Sequence, residues 1–168
     1  MSSSCKKQVV QPVSELSKLP AATQTGANTF GCLINGQAFV PQNRSLLEGP
    51  KLQCNYIYTA GGYYFTVGGV NKNSGGITSD VIIFTDSLAI KDGQTIKLAD
   101  DGRGKAFGEY YLVNPPYQTN KTLTGELNIT KFDTIKQIIS GTFYFNVLDN
   151  ALDTVKITDG RFDMPYTR

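Results

Sequence analysis

The sequence predicts an all-β protein, an antiparallel β-sandwich of about nine or ten short strands. Three observations carry this expectation. The chain holds nine Phe, nine Tyr and 17 Gly but no Trp; aromatic and β-branched side chains suit a half-buried pleated surface, and Gly supplies turns. Turn signals recur at intervals of about 8 to 15 residues, as in sandwiches and barrels. No segment carries a 3.6-residue apolar stripe, the mark of an amphipathic helix. A lipocalin-like closed or partly open barrel is the alternative arrangement of the same strands.

Taken in order, residues 29–34 and 37–41 flank Asn35-Gly36, a pair that tolerates positive φ and closes a tight hairpin. Pro41 ends the second strand because it lacks an N–H for the ladder. Residues 42–51 form a loop. Strands follow at 52–59 and 63–69, joined by Ala60-Gly61-Gly62, and residues 70–76 form a second loop. Residues 77–85 contain Val81-Ile82-Ile83-Phe84, an uninterrupted apolar run suited to a strand covered on both faces. Asp92-Gly93 precedes a strand at 94–98, and Asp100-Asp101-Gly102 turns towards residues 106–113, which Asn114-Pro115-Pro116 stops. Residues 125–130 alternate with Leu127 and Ile129 on one face. Residues 137–148 alternate longest: Ile139, Gly141, Phe143, Phe145 and Val147 share one face, and Ser140, Thr142, Tyr144 and Asn146 the other. Strands at 154–158 and 161–164 are separated by Asp159-Gly160.

The 168 residues fit one domain with its own core. Residues 1–28, rich in Ser, Thr, Gln, Lys and Pro, have too little apolar surface to order themselves and form a flexible polar leader; residues 29–168 form the β domain. No run of about 18 apolar residues is present to cross a bilayer as a helix.

Charge and composition exclude several functions. Sixteen basic against fourteen acidic residues leave a net charge of +2, with no basic patch for nucleic acid. With no histidine, Ser-His-Asp and Cys-His catalysis and His-based zinc sites are ruled out. No cofactor is expected.

Three cysteines stand at positions 5, 32 and 54. Ser2-Ser3-Ser4-Cys5 looks like the end of a bacterial lipoprotein signal, where small residues precede a lipidated cysteine; the other reading is a free thiol in a polar tail. An exported chain would allow a Cys32–Cys54 disulfide, while two buried free thiols fit as well, since Phe30, Cys32 and Ile34 share one strand face.

Among candidate sites, Asp100-Asp101-Gly102 and Asp149-Asn150 with Asp153 match no calcium loop and read as turns. Arg103, Lys105 and Arg161 are isolated cations suited to a solvated surface. Glu109 and Glu126 are the glutamates in strand-like text and the minimal pair for a carboxylate-dependent hydrolase. The tyrosines cluster at Tyr56, Tyr58, Tyr63, Tyr64, Tyr110, Tyr111 and Tyr117. Adjacent pairs point to opposite strand faces, so Tyr63, Tyr64, Tyr110 and Tyr111 are the candidate ligand-facing rings.

Three stretches together, Thr29-Phe30-Gly31-Cys32-Leu33-Ile34-Asn35-Gly36, Ile138-Ile139-Ser140-Gly141-Thr142-Phe143-Tyr144-Phe145 and Val155-Lys156-Ile157-Thr158-Asp159-Gly160-Arg161-Phe162-Asp163, carry a family resemblance. With the leader segment Leu19-Pro20-Ala21-Ala22-Thr23-Gln24-Thr25-Gly26, the chain resembles the DUF6252-like group of Bacteroidetes lipoproteins of unknown function. The resemblance implies export and attachment through Cys5 to the outer membrane, on its periplasmic face or at the cell surface, and assigns no activity. The functional expectation is therefore a non-enzymatic envelope lipoprotein, a binding or structural module for a glycan or an envelope protein. The alternatives are a barrel-type carrier of a small hydrophobic ligand and the hydrolase.

Overall fold

The computed structural model describes residues 13–42, 50–72, 78–112 and 115–168; Cys5 lies outside them. The described residues are nearly all β: eleven strands in one large, mostly antiparallel sheet that is not closed into a barrel. They are β1 (Thr29–Ile34), β2 (Gln37–Phe39), β3 (Leu52–Thr59), β4 (Gly62–Lys72), β5 (Thr78–Asp86), β6 (Thr95–Leu98), β7 (Lys105–Tyr111), β8 (Tyr117–Gln118), β9 (Gly125–Asp133), β10 (Ile138–Leu148) and β11 (Thr154–Pro165). Their order across the sheet is β2-β1-β11-β10-β9-β6-β7-β5-β4-β3, with β8 beside β7.

The sheet folds over, so that one half packs on the other. The rings of Phe65 on β4 and Phe162 on β11 lie 6.2 Å apart. Gly108 on β7 lies directly against Phe145 of β10: a Cβ there would sit 2.8 Å from that ring. The corner is β6, which pairs antiparallel with β9 and, through Leu98 and Ala106, parallel with β7. Between the halves lie Phe30, Phe65, Phe145, Leu127, Ile129, Ile139 and their neighbours, all buried. The core is filled with side chains, as close-packed protein interiors are.

Local chemistry explains most element ends. Asn35 and Gly36 both take positive φ, +48° and +79°, as the two-residue hairpin requires. Ala60 and Gly61 repeat that geometry between β3 and β4. Alternation along β10 is as the sequence predicts, with Ile139, Phe143, Phe145 and Val147 buried.

Asp159-Gly160 behaves differently. It makes a β-bulge inside one continuous strand, β11, where the sequence predicts two strands split by a turn. Asp159 takes φ +53°, a left-handed conformation that Asp tolerates better than most residues. One inserted residue flips the alternation. Before it, Val155 and Ile157 point into the core; after it, Phe162 and Met164 do. Arg161 and Asp163 are thereby turned onto the outer face.

Residues 13–28 also depart from expectation, because they dock rather than trail as a flexible leader. A short 3-10 turn, Glu15–Lys18, lies against β2, and its Glu15 carboxylate accepts the Ala38 N–H at 2.9 Å. Leu19 is buried and Pro20 packs over Gly31. Residues 23–27 then form a strap held by one buried carboxylate, Asp163, which is 0% exposed. Its oxygens accept bonds from Thr23 Oγ1 (2.6 Å), Thr25 N (2.9 Å) and Oγ1 (3.2 Å), Gly26 N (2.7 Å), Ala27 N (3.2 Å) and Ser140 Oγ (2.7 Å). Composition misses this because the acceptor lies at the other end of the chain. Strap polarity is satisfied by hydrogen bonds to a buried charge, so little apolar burial is needed.

Burial alone would raise the Asp163 carboxyl, but bonds from Thr23, Thr25, Ser140 and Gly26 outweigh it and hold it well below the usual carboxylate range. A folded-state pKa below the unfolded one stabilises the fold above the ordinary carboxylate range, and that stabilisation is lost as pH falls through the folded value. Asp163→Asn is expected to cost about 2–4 kcal/mol at pH 7, measured by urea unfolding. It should also flatten the loss of stability that wild type shows on acidification below about pH 4.

Candidate functional site

The flip in β11 builds a polar groove on the outer face of β6, β9, β10 and β11. Register places Thr95, Asn128, Thr142 and Arg161 in one row across the four strands. Beside that row, two residues along, stand Lys97, Glu126 and Tyr144. Each of these side chains is outward because its neighbours Ile96, Leu127, Phe143, Phe145 and Phe162 are core residues. Ala22, next to the strap, and the bulged Asp159–Gly160 complete the lining of a groove of about 540 Å³.

Tyr144 stands in the middle of it, 46% exposed. Partial burial, the negative charge of Glu126 and the hydrogen bond between the two raise its hydroxyl pKa. Arg161 is steadied by its own strand, its Nε donating to the Asp159 carbonyl at 3.2 Å. Gly160 admits no larger residue, because a Cβ would lie 2.5 Å from the Phe143 ring beneath. The groove floor and the core are therefore rigidly coupled. Chemically, the Arg161 and Asn128 nitrogens donate, the Glu126 and Asp159 carboxylates accept, and the Thr95 and Thr142 hydroxyls do both.

Glu126 and Glu109 do not converge. Gly125, Leu98 and Ala106 form one row across β9, β6 and β7, and the two glutamates lie beyond it in opposite directions. Their backbones are two strand spacings and four residues apart, about 10 Å by about 13 Å. A hydrolytic pair stands about 5–9.5 Å apart. Glu109 is instead held by the Gln118 amide. Its carboxyl is raised by burial, with the amide opposing.

Of the four rings singled out in the sequence, none lines this groove. Tyr63 is exposed at the end of β4, and Tyr64, opposite in direction, accepts the Ser87 hydroxyl at 2.9 Å. Tyr110 belongs to the core rather than to a ligand-facing surface, because β7 continues its alternation from Ala106 and Gly108. Tyr111 is half-buried on the opposite face of β7. The alternation of β10 places Tyr144 outward in the sequence as well, but as a lone tyrosine it lacks the clustering that marks the others.

The acidic turns are closed by contacts of their own, to backbone in one and to a lysine in the other. Asp149 Oδ1 accepts the N–H groups of Ala151 and Asp153, and Asp100 pairs with Lys105 at 2.6 Å. Among the described residues, no cluster of three or more acids or cysteines is arranged to hold a metal ion.

No family model matches the chain, and neither a curated protein nor a solved structure is found to be similar to it.

Cys32 and Cys54 are both free thiols buried in the core. Burial pushes the Cys54 thiol up to about 12 and Cys32 higher still. Iodoacetamide at pH 8 should therefore leave both untouched in the folded protein and label both after unfolding in urea without reductant. Mass spectrometry reads the adducts, and a reductant requirement would indicate a disulfide.

Proposed function

We propose that the protein is a non-enzymatic binding module of the cell envelope whose outer groove takes a saccharide. A sugar presents hydroxyls in many directions and a flat C–H face. The observation that carries the reading is Tyr144, an exposed ring set among side chains that donate, accept or do both. Stacking on the ring supplies apolar contact while the polar row pairs with hydroxyls. A rigid floor favours such binding, since little side-chain entropy is lost on capture. A carrier of hydrophobes would need an enclosed apolar void, whereas this sheet is open and its core filled.

The envelope address rests on Cys5 and on the family resemblance. A lipidated Cys5 would place the domain on a short tether beside the membrane.

A glycan array probed with the full chain is expected to return a restricted set of ligands. Tyr144→Ala should weaken the best of them about tenfold in calorimetry, with thermal stability unchanged. An empty array, or a variant that binds as wild type does, would remove the saccharide reading. For the address, growth of the native host with an alkyne fatty acid should label the protein, and Cys5→Ser should abolish the label and release the protein from the membrane fraction.

A further inference from the structure

A second opening lies at one end of the folded sheet, where the core's inner face runs out into solvent. Tyr58 and Tyr63 are cross-strand partners, and Tyr56 pairs with the core residue Phe65. All four therefore share the inner face. Tyr56 and Tyr63 stack in parallel at 5.0 Å and 8°. Tyr58 leans on Tyr63 at 4.9 Å but is 64% exposed, leaving one ring face open. Phe132 meets Tyr56 edge-on at 5.1 Å, and Tyr166 does so at 6.1 Å. The mouth they form has a volume of about 490 Å³.

Its electrostatics differ from those of the outer groove. Among the described residues, Arg168 is the one charged side chain lining the mouth, and no carboxylate or amide side chain joins it. One guanidinium nitrogen donates to the Thr134 carbonyl at 2.9 Å, which fixes the group 5.9 Å from the Tyr166 ring centre. Its remaining N–H groups make no hydrogen bond to a carboxylate among the described residues. A partly stacked aromatic wall beside a positioned guanidinium that meets no carboxylate among the described residues suits a flat apolar body with a negative head. Saccharide hydroxyls would find few paired donors and acceptors here.

We propose that this mouth is a binding site for a small aromatic carboxylate. The ligand ring stacks on the open face of Tyr58 against the edges of Phe132 and Tyr166, and its carboxylate accepts charge-assisted hydrogen bonds from Arg168.

Because the chain has no Trp, its emission comes from nine tyrosines, four of which, Tyr56, Tyr58, Tyr63 and Tyr166, line this mouth, and the Arg168 and Tyr58 variants assign the response to it. The test is titration of the full chain with 3-phenylpropionate, 3-phenylpropionamide and 3-phenylpropylamine, which share a body and differ in head group. The acid is expected to give a saturable change, the amide to bind about tenfold more weakly, and the amine to give none. Arg168→Gln should bring the acid down to the level of the amide, and Tyr58→Ala, at an exposed position, should weaken both. Equal binding of the three probes, preference for the amine, no saturable response to the acid, or indifference to Arg168→Gln would each overturn the proposal. The head-group series needs no variant and decides even if a substitution perturbs folding.

Discussion

The structure depends on a buried negative charge. Asp163 sits under the strap with no solvent to hydrate it, a position that would cost several kcal/mol if its oxygens were unpaired. Six hydrogen bonds, three of them from consecutive backbone amides, replace that hydration. The residue is outward only because β11 carries the bulge at Asp159. Without the extra residue, Asp163 would point into the apolar core and Phe162 into water. The bulge thus aligns the core beneath, the strap above and the groove beside it.

The same device lets one sheet carry two chemistries. Outside, a row of hydroxyl, amide, carboxylate and guanidinium groups surrounds Tyr144. At the end of the inner face, the core spills into a cluster of rings with a single guanidinium. These surfaces differ in polarity for a geometric reason. One is the solvated face of central strands, whereas the other is the apolar face where the covering half of the sheet stops.

Much of this was legible in the residues. The long alternation of β10, the Asn35-Gly36 hairpin and the absence of any helical stripe define an antiparallel all-β chain. What escaped was every feature that couples distant positions. Asp159-Gly160 looks the same in a turn as in a bulge, and only the partner strands β1 and β10 decide between them. Thr23 and Thr25 look like solvent-loving linker until Asp163 is placed beneath them. Tyr110 and Tyr111 look equivalent, and the burial of one depends on Ala106 and Gly108 having already set the inward face. The two glutamates suggested a pair because both sit in strands, but the pairing of β6 with β7 and β9 sends them apart.

The pairing of β1 with β11 also bears on how the molecule is made. A strand near the start of the chain takes as its neighbour one near the end, and 140 residues separate Thr23 from the carboxylate that holds it. Closing so long a loop costs entropy before any contact repays it, and topologies of this kind fold slowly. During synthesis β1 is exposed from the outset and waits, its polar edge and the apolar Phe30 uncovered, until β11 has left the ribosome. The sheet consequently cannot be completed by local pairing alone: β1 finds its neighbour only once β11 is present.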